Sequence, residues 1–65
     1  MITITDRNKF NNTLEISGLS TDQKPIRFVE YKNVKYTIEN ASTFYEMDTT
    51  TAFMYDEENH QWLEQ

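Results

Sequence analysis

The sequence predicts a single mainly β domain, a small antiparallel sheet built from a hairpin and a C-terminal three-stranded meander, with little helix. Three observations carry this. Short runs of β-branched and aromatic residues alternate with polar ones at period two, and Asn-, Asp- and Thr-rich turns separate them at close intervals. In addition, no segment places apolar residues at i, i+3, i+4 and i+7 over three turns. With 65 residues there is room for one unit, spanning 1–65, and no second lobe. Aromatic residues make up 14% of the chain, enough to give so small a domain an efficient core.

Each element follows from its residues. Ile2 and Ile4 alternate with Thr3 and Thr5, which predicts a first half-buried strand over 2–5. A polar stretch around Phe10 follows, with room for one short helical turn over 6–12. Residues 13–16 alternate again and predict a second strand, ended by a turn at Gly18, the only glycine. Residues 19–25 carry loop formers, and Pro25 pushes Lys24 into an extended conformation, so an exposed loop is expected. Residues 26–31 and 34–38 are β-rich runs flanking Lys32-Asn33, and Asn tolerates the left-handed backbone of a tight hairpin. The meander occupies 43–48, 52–55 and 61–64. A two-turn helix capped by Asp56 over 56–64 is the minority alternative.

Composition excludes several functions. There is no cysteine, hence no disulfide and no Cys-based zinc site, and one histidine makes a carboxylate-rich zinc site improbable. The longest apolar run is four residues, 52–55, far below the roughly 18–20 needed to span a bilayer. The opening residues carry neither a basic leader nor an apolar h-region, so synthesis in a cytoplasm is expected. Net charge is −5 and unevenly spread: residues 1–38 hold all six Lys and Arg against four acids, whereas 39–65 hold seven acids and no Lys or Arg. Such asymmetry favours head-to-tail contact between copies or a basic partner, and it argues against nucleic-acid binding by the acidic half.

Candidate chemistry is sparse. Glu46, Asp48, Asp56, Glu57 and Glu58 form an acidic set, with oxygen ligands of the kind calcium takes. No glycine follows Asp56 at the spacing of an EF-hand loop, and consecutive acids on a turn are more often simply solvated. Glu46 and Asp48, two apart, would share a strand face and imitate a catalytic carboxylate pair, but so short a chain cannot easily enclose a substrate. His60 has a near-neutral titration range but no nucleophile arranged beside it, so it reads as a surface histidine. No cofactor is expected. The aromatic set is more telling. Neighbours such as Phe44 and Tyr45, or Phe53 and Met54, face opposite sides of a strand and cannot share one small core. One face therefore meets another chain, and Tyr45, Met47, Phe53, Tyr55 and Trp62 are the candidates for shaping the meander and its contact surface.

Residues 42–49 (STFYEMDT), 52–59 (AFMYDEEN) and 61–65 (QWLEQ) resemble the ending of short proteins encoded among the structural genes of tailed phages and prophages of Firmicutes. Residues 18–25 resemble the segment that precedes it in some members. The resemblance covers about half of the chain. It departs at the turn, where Thr50-Thr51 stands in place of Gly-Lys; Thr disfavours the positive φ that Gly supplies, so a different turn type is expected. The resemblance implies a small virion-associated protein made in the bacterial host cytoplasm: a head decoration or fibre, or a neck or tail accessory. Its partners would be itself or other virion proteins, and it brings no catalytic residue to carry over. The alternatives are an acidic inhibitor or nucleic-acid mimic that fills a basic groove of a host protein, and a calcium-dependent module.

Overall fold

The computed structural model describes residues 1–65. It contains seven strands and no helix: β1 (Thr3–Arg7), β2 (Leu14–Gly18), β3 (Phe28–Tyr31), β4 (Val34–Thr37), β5 (Thr43–Glu46), β6 (Thr51–Asp56) and β7 (Gln61–Glu64). The mainly β fold is as the residue pattern requires. Five strands form one sheet in the order β1-β2-β5-β6-β7, and β3-β4 forms a separate hairpin. The expected meander is β5-β6-β7, antiparallel throughout, with Phe44 opposite Phe53 and Tyr55 opposite Trp62.

One pairing departs from the antiparallel expectation. β2 and β5 run parallel, with Ile16 beside Phe44, so the chain must cross over between them. The crossover consists of the 19–27 loop, the β3-β4 hairpin and the 38–42 segment, and it covers one face of the large sheet. Its hairpin turns on Lys32 and Asn33, both left-handed at φ 50 and 65, as a two-residue hairpin of mirror-image type demands. Leu14, Ile16, Phe44 and Tyr55 from the sheet meet Val29 and Ile38 from the crossover in one core. Ile2, Ile4, Tyr36, Phe53 and Trp62 close its margins.

Local detail refines the expectations. The 19–25 loop is exposed at Leu19, Ser20, Thr21 and Gln23, as expected, but it is tied down: Asp22 accepts the Leu19 N–H at 2.8 Å and the terminal ammonium of Met1 at 2.6 Å, and Asp48 accepts both the N–H and the hydroxyl of Ser20. Gly18 ends a strand rather than making a turn. Its φ is not left-handed, and its use is close approach, because a Cβ there would lie 2.8 Å from Cζ of Phe44. The β5-β6 turn, expected to change type without glycine, still carries a left-handed residue, Thr50 at φ 56. Side-chain bonds hold it there, from the Thr50 hydroxyl to the Thr49 carbonyl and from the Thr49 hydroxyl to Glu46. Neither helical alternative, over 6–12 or 56–64, forms: residues 9–11 and 57–60 are turns between strands, organised by Asn8 and Asp56 carboxamide and carboxylate oxygens that accept N–H groups two or three residues on.

Candidate functional site

The period-two alternation of the meander decides which side chains face the crossover and which face out. Phe44 is fully buried, whereas Tyr45 beside it is 41% exposed; the same alternation puts Tyr55 in the core and leaves Met54 38% exposed. The five residues proposed for the contact surface therefore divide. Phe53, Tyr55 and Trp62 belong to the inner face. Trp62 stacks edge-on against Phe44 at 5.8 Å between ring centres and tilted against Tyr55 at 4.9 Å, and its indole N–H donates to the Pro25 carbonyl at 2.8 Å. Tyr55 accepts the Arg27 N–H through its hydroxyl at 3.0 Å, with Nδ1 of His60 at 3.4 Å on the other side. These groups fasten the crossover to the sheet. His60 is accordingly half-buried at φ 52, not the free surface histidine expected.

Tyr45 and Met47 remain on the outside. Met47 lies just past β5, its N–H still bonded to the Gly18 carbonyl, and is exposed. Two further residues join them that were not singled out as contacts, Met54 and Leu63, which face each other across β6 and β7. Leu63 is 46% exposed. The signal for both lay in the register, since placing Phe53, Tyr55 and Trp62 inward sends Met54 and Leu63 outward. Across β5, β6 and β7 the outward residues are Thr43, Tyr45, Ala52, Met54, Asp56, Gln61 and Leu63, and only Asp56, at the end of β6, is charged. Further charge lies on β1 and β2, where Asp6 pairs with Glu15. In a chain with 26% charged residues this is a marked depletion, and nothing in the chain covers the face. The hairpin's own exposed Phe28 is different, since the Lys35 ammonium lies 4.2 Å from its ring centre.

The acidic set divides as well. Glu46 is buried at 7% exposure and forms an ion pair with Lys24, whose ammonium also sits 4.3 Å from the Phe53 ring centre. Hydrogen bonds from Lys24 and Thr49 hold its carboxyl below the ordinary glutamate range. Asp48 is lowered by its two bonds from Ser20, and Asp56 mainly by the Asn59 side-chain amide. All three carboxylates thus work inside the fold. Glu57 and Glu58 alone point free, at the opposite end of the meander from Glu46 and Asp48, because β5 and β6 run antiparallel between them. No three carboxylate or imidazole groups converge on one point. No family model, no curated protein and no solved structure matches this chain.

Proposed function

We propose that this protein is a non-enzymatic assembly module, a structural or accessory component of a tailed-phage particle that binds copies of itself or other virion proteins. The observation that carries the assembly part is the charge-poor outer face of β5, β6 and β7, with Tyr45, Met54 and Leu63 exposed together, Asp56 as its one charge at the end of β6, and no cover from the chain itself. Charge-poor faces bearing Tyr, Met and Leu are the composition of interface centres, and solvated sheet faces carry Lys and Glu instead. The virion part rests on the resemblance of residues 42–65 to phage structural-gene products. The separated carboxylates favour this reading over an acidic mimic, which needs a continuous track of free charge.

The test is to count this protein against the major capsid protein by quantitative mass spectrometry of purified particles. A ratio set by capsid symmetry assigns a head component, and a few to a dozen copies assign neck or tail. Absence from particles overturns the virion reading and directs attention to host proteins with basic grooves. A Met54→Lys, Leu63→Glu variant is expected to fold normally and to be lost from particles.

A further inference from the structure

The two edges of the large sheet are complementary to one another. Following the pairings outward from β2, β5 runs with it, β6 against it, β7 with it and β1 against it, so the edge strands β1 and β7 are antiparallel. Five strands paired antiparallel throughout would have parallel edges; the single parallel pair reverses this. A second copy, displaced sideways without being turned over, would therefore meet β7 with β1 in the antiparallel sense, the core layer remaining on the same side.

Register and charge agree with that joint. Ile4, Ile16, Phe44, Phe53 and Glu64 form one row across the sheet, and Arg7 and Leu14 lie at the level of Tyr55 and Trp62. The β1-β2 turn, with Lys9 beyond Arg7, and the β6-β7 turn, with Glu57 and Glu58, thus occupy the same end of the sheet at opposite edges. None of these four side chains has an ion pair within the chain; the two ion pairs present join Met1 to Asp22 and Lys24 to Glu46. The β7 edge is open. Gln65 N–H donates to the Ala52 carbonyl, so alternation along β7 turns the backbone groups of Trp62 and Glu64 outward, with no proline, lysine or bulge to guard them. On β1 the bulge between Ile4 and Asp6 limits the ladder to a short stretch, which leaves charge a large share of the joint.

We infer that the partner for the β7 edge is the β1 edge of a second copy, joined head to tail by antiparallel strand addition with Glu57 and Glu58 against Arg7 and Lys9. Such a heterologous joint propagates into a ring or a row. The inference deepens the assembly reading above and rests on it, but concerns the edges, whereas that reading concerns the outer face.

Sedimentation velocity across a concentration series tests it on the full chain. In low salt the weight-average mass is expected to rise with concentration, and at about 1 M salt, where the screening length falls to about 3 Å, to return to that of the monomer. Glu64→Pro removes an outward N–H without touching the β6-β7 ladder and is expected to abolish association while leaving the melting curve cooperative. Arg7→Glu with Lys9→Glu, and separately Glu57→Lys with Glu58→Lys, should each be monomeric, and mixing the two variants should restore assembly, because opposite charges again meet at every joint. A chain that stays monomeric in low salt at every concentration overturns the inference. So does association that survives Glu64→Pro and is lost with Met54→Lys, since the outer face would then be the contact. Particle counting is independent: a chain present in particles but monomeric in solution overturns the edge joint alone, and one absent from particles but joined by its edges overturns the virion reading alone.

Discussion

Gly18 shows how one residue can be mistaken for punctuation. A lone glycine after an alternating run predicts a turn, yet here it is a strand residue over which Phe44 and Ile2 pack, 2.8 and 3.0 Å from where a Cβ would stand. Gly18→Ala forces the Phe44 ring to move in a core that has no slack, and is expected to destabilise the protein by about 1–3 kcal/mol. Urea denaturation would show it as a lower midpoint with the slope unchanged. Trp62 carries the opposite lesson. Tryptophan is a favoured interface anchor, but its N–H bond to Pro25 and its packing on Phe44 and Tyr55 commit it to the chain's own crossover.

At the scale of elements, the parallel contact between β2 and β5 depends on more than its ladder. Ser42, fully buried just before β5, accepts the Leu14 N–H through its hydroxyl at 3.0 Å and so extends the pairing by one bond. Ser42→Ala leaves that buried donor without a partner and is expected to cost about 1–3 kcal/mol, read from the same denaturation midpoint; a change within error would contradict this role. The seven strands were legible in the sequence to within a residue or two because alternation and turn chemistry are local signals. The inward or outward assignment of the meander residues was only half legible: period two sorts them into two alternating sets, but which set faces the core depends on where the crossover packs, which leaves Phe53, Tyr55 and Trp62 grouped with Tyr45 and Met47. The parallel pair was not legible, because it joins residues 28 apart and leaves no mark on either strand. Nor were the duties of Glu46, Asp48 and Asp22. A carboxylate that fixes a distant loop looks the same in sequence as one that is merely solvated, so the five-acid set was too inclusive.

For the whole molecule those carboxylates set the response to acid. Asp22, Glu46, Asp48 and Asp56 all titrate below their ordinary values of 3.8 for aspartate and 4.5 for glutamate, chiefly because hydrogen bonds favour the charged form: from the terminal ammonium, Lys24, Ser20 and Asn59 respectively. A depressed folded pKa means that the unfolded chain takes up protons first as pH falls. Their contribution is complete above the ordinary values and is lost progressively as pH falls through the lowered ones. Thermal melting midpoints should thus be level from neutrality to about pH 5 and drop steeply below pH 4. A midpoint that holds at pH 3 would show that these bonds contribute little. The parallel pairing has a last consequence, in time rather than in strength. On the ribosome β1 and β2 emerge first, but the strand that covers the other side of β2 follows only after the whole 24-residue crossover. The β1-β2 ribbon must wait as a marginal two-stranded piece. The later β5-β6-β7 meander closes by nearest-neighbour turns, so the second half of the chain is expected to organise before the first half can dock onto it.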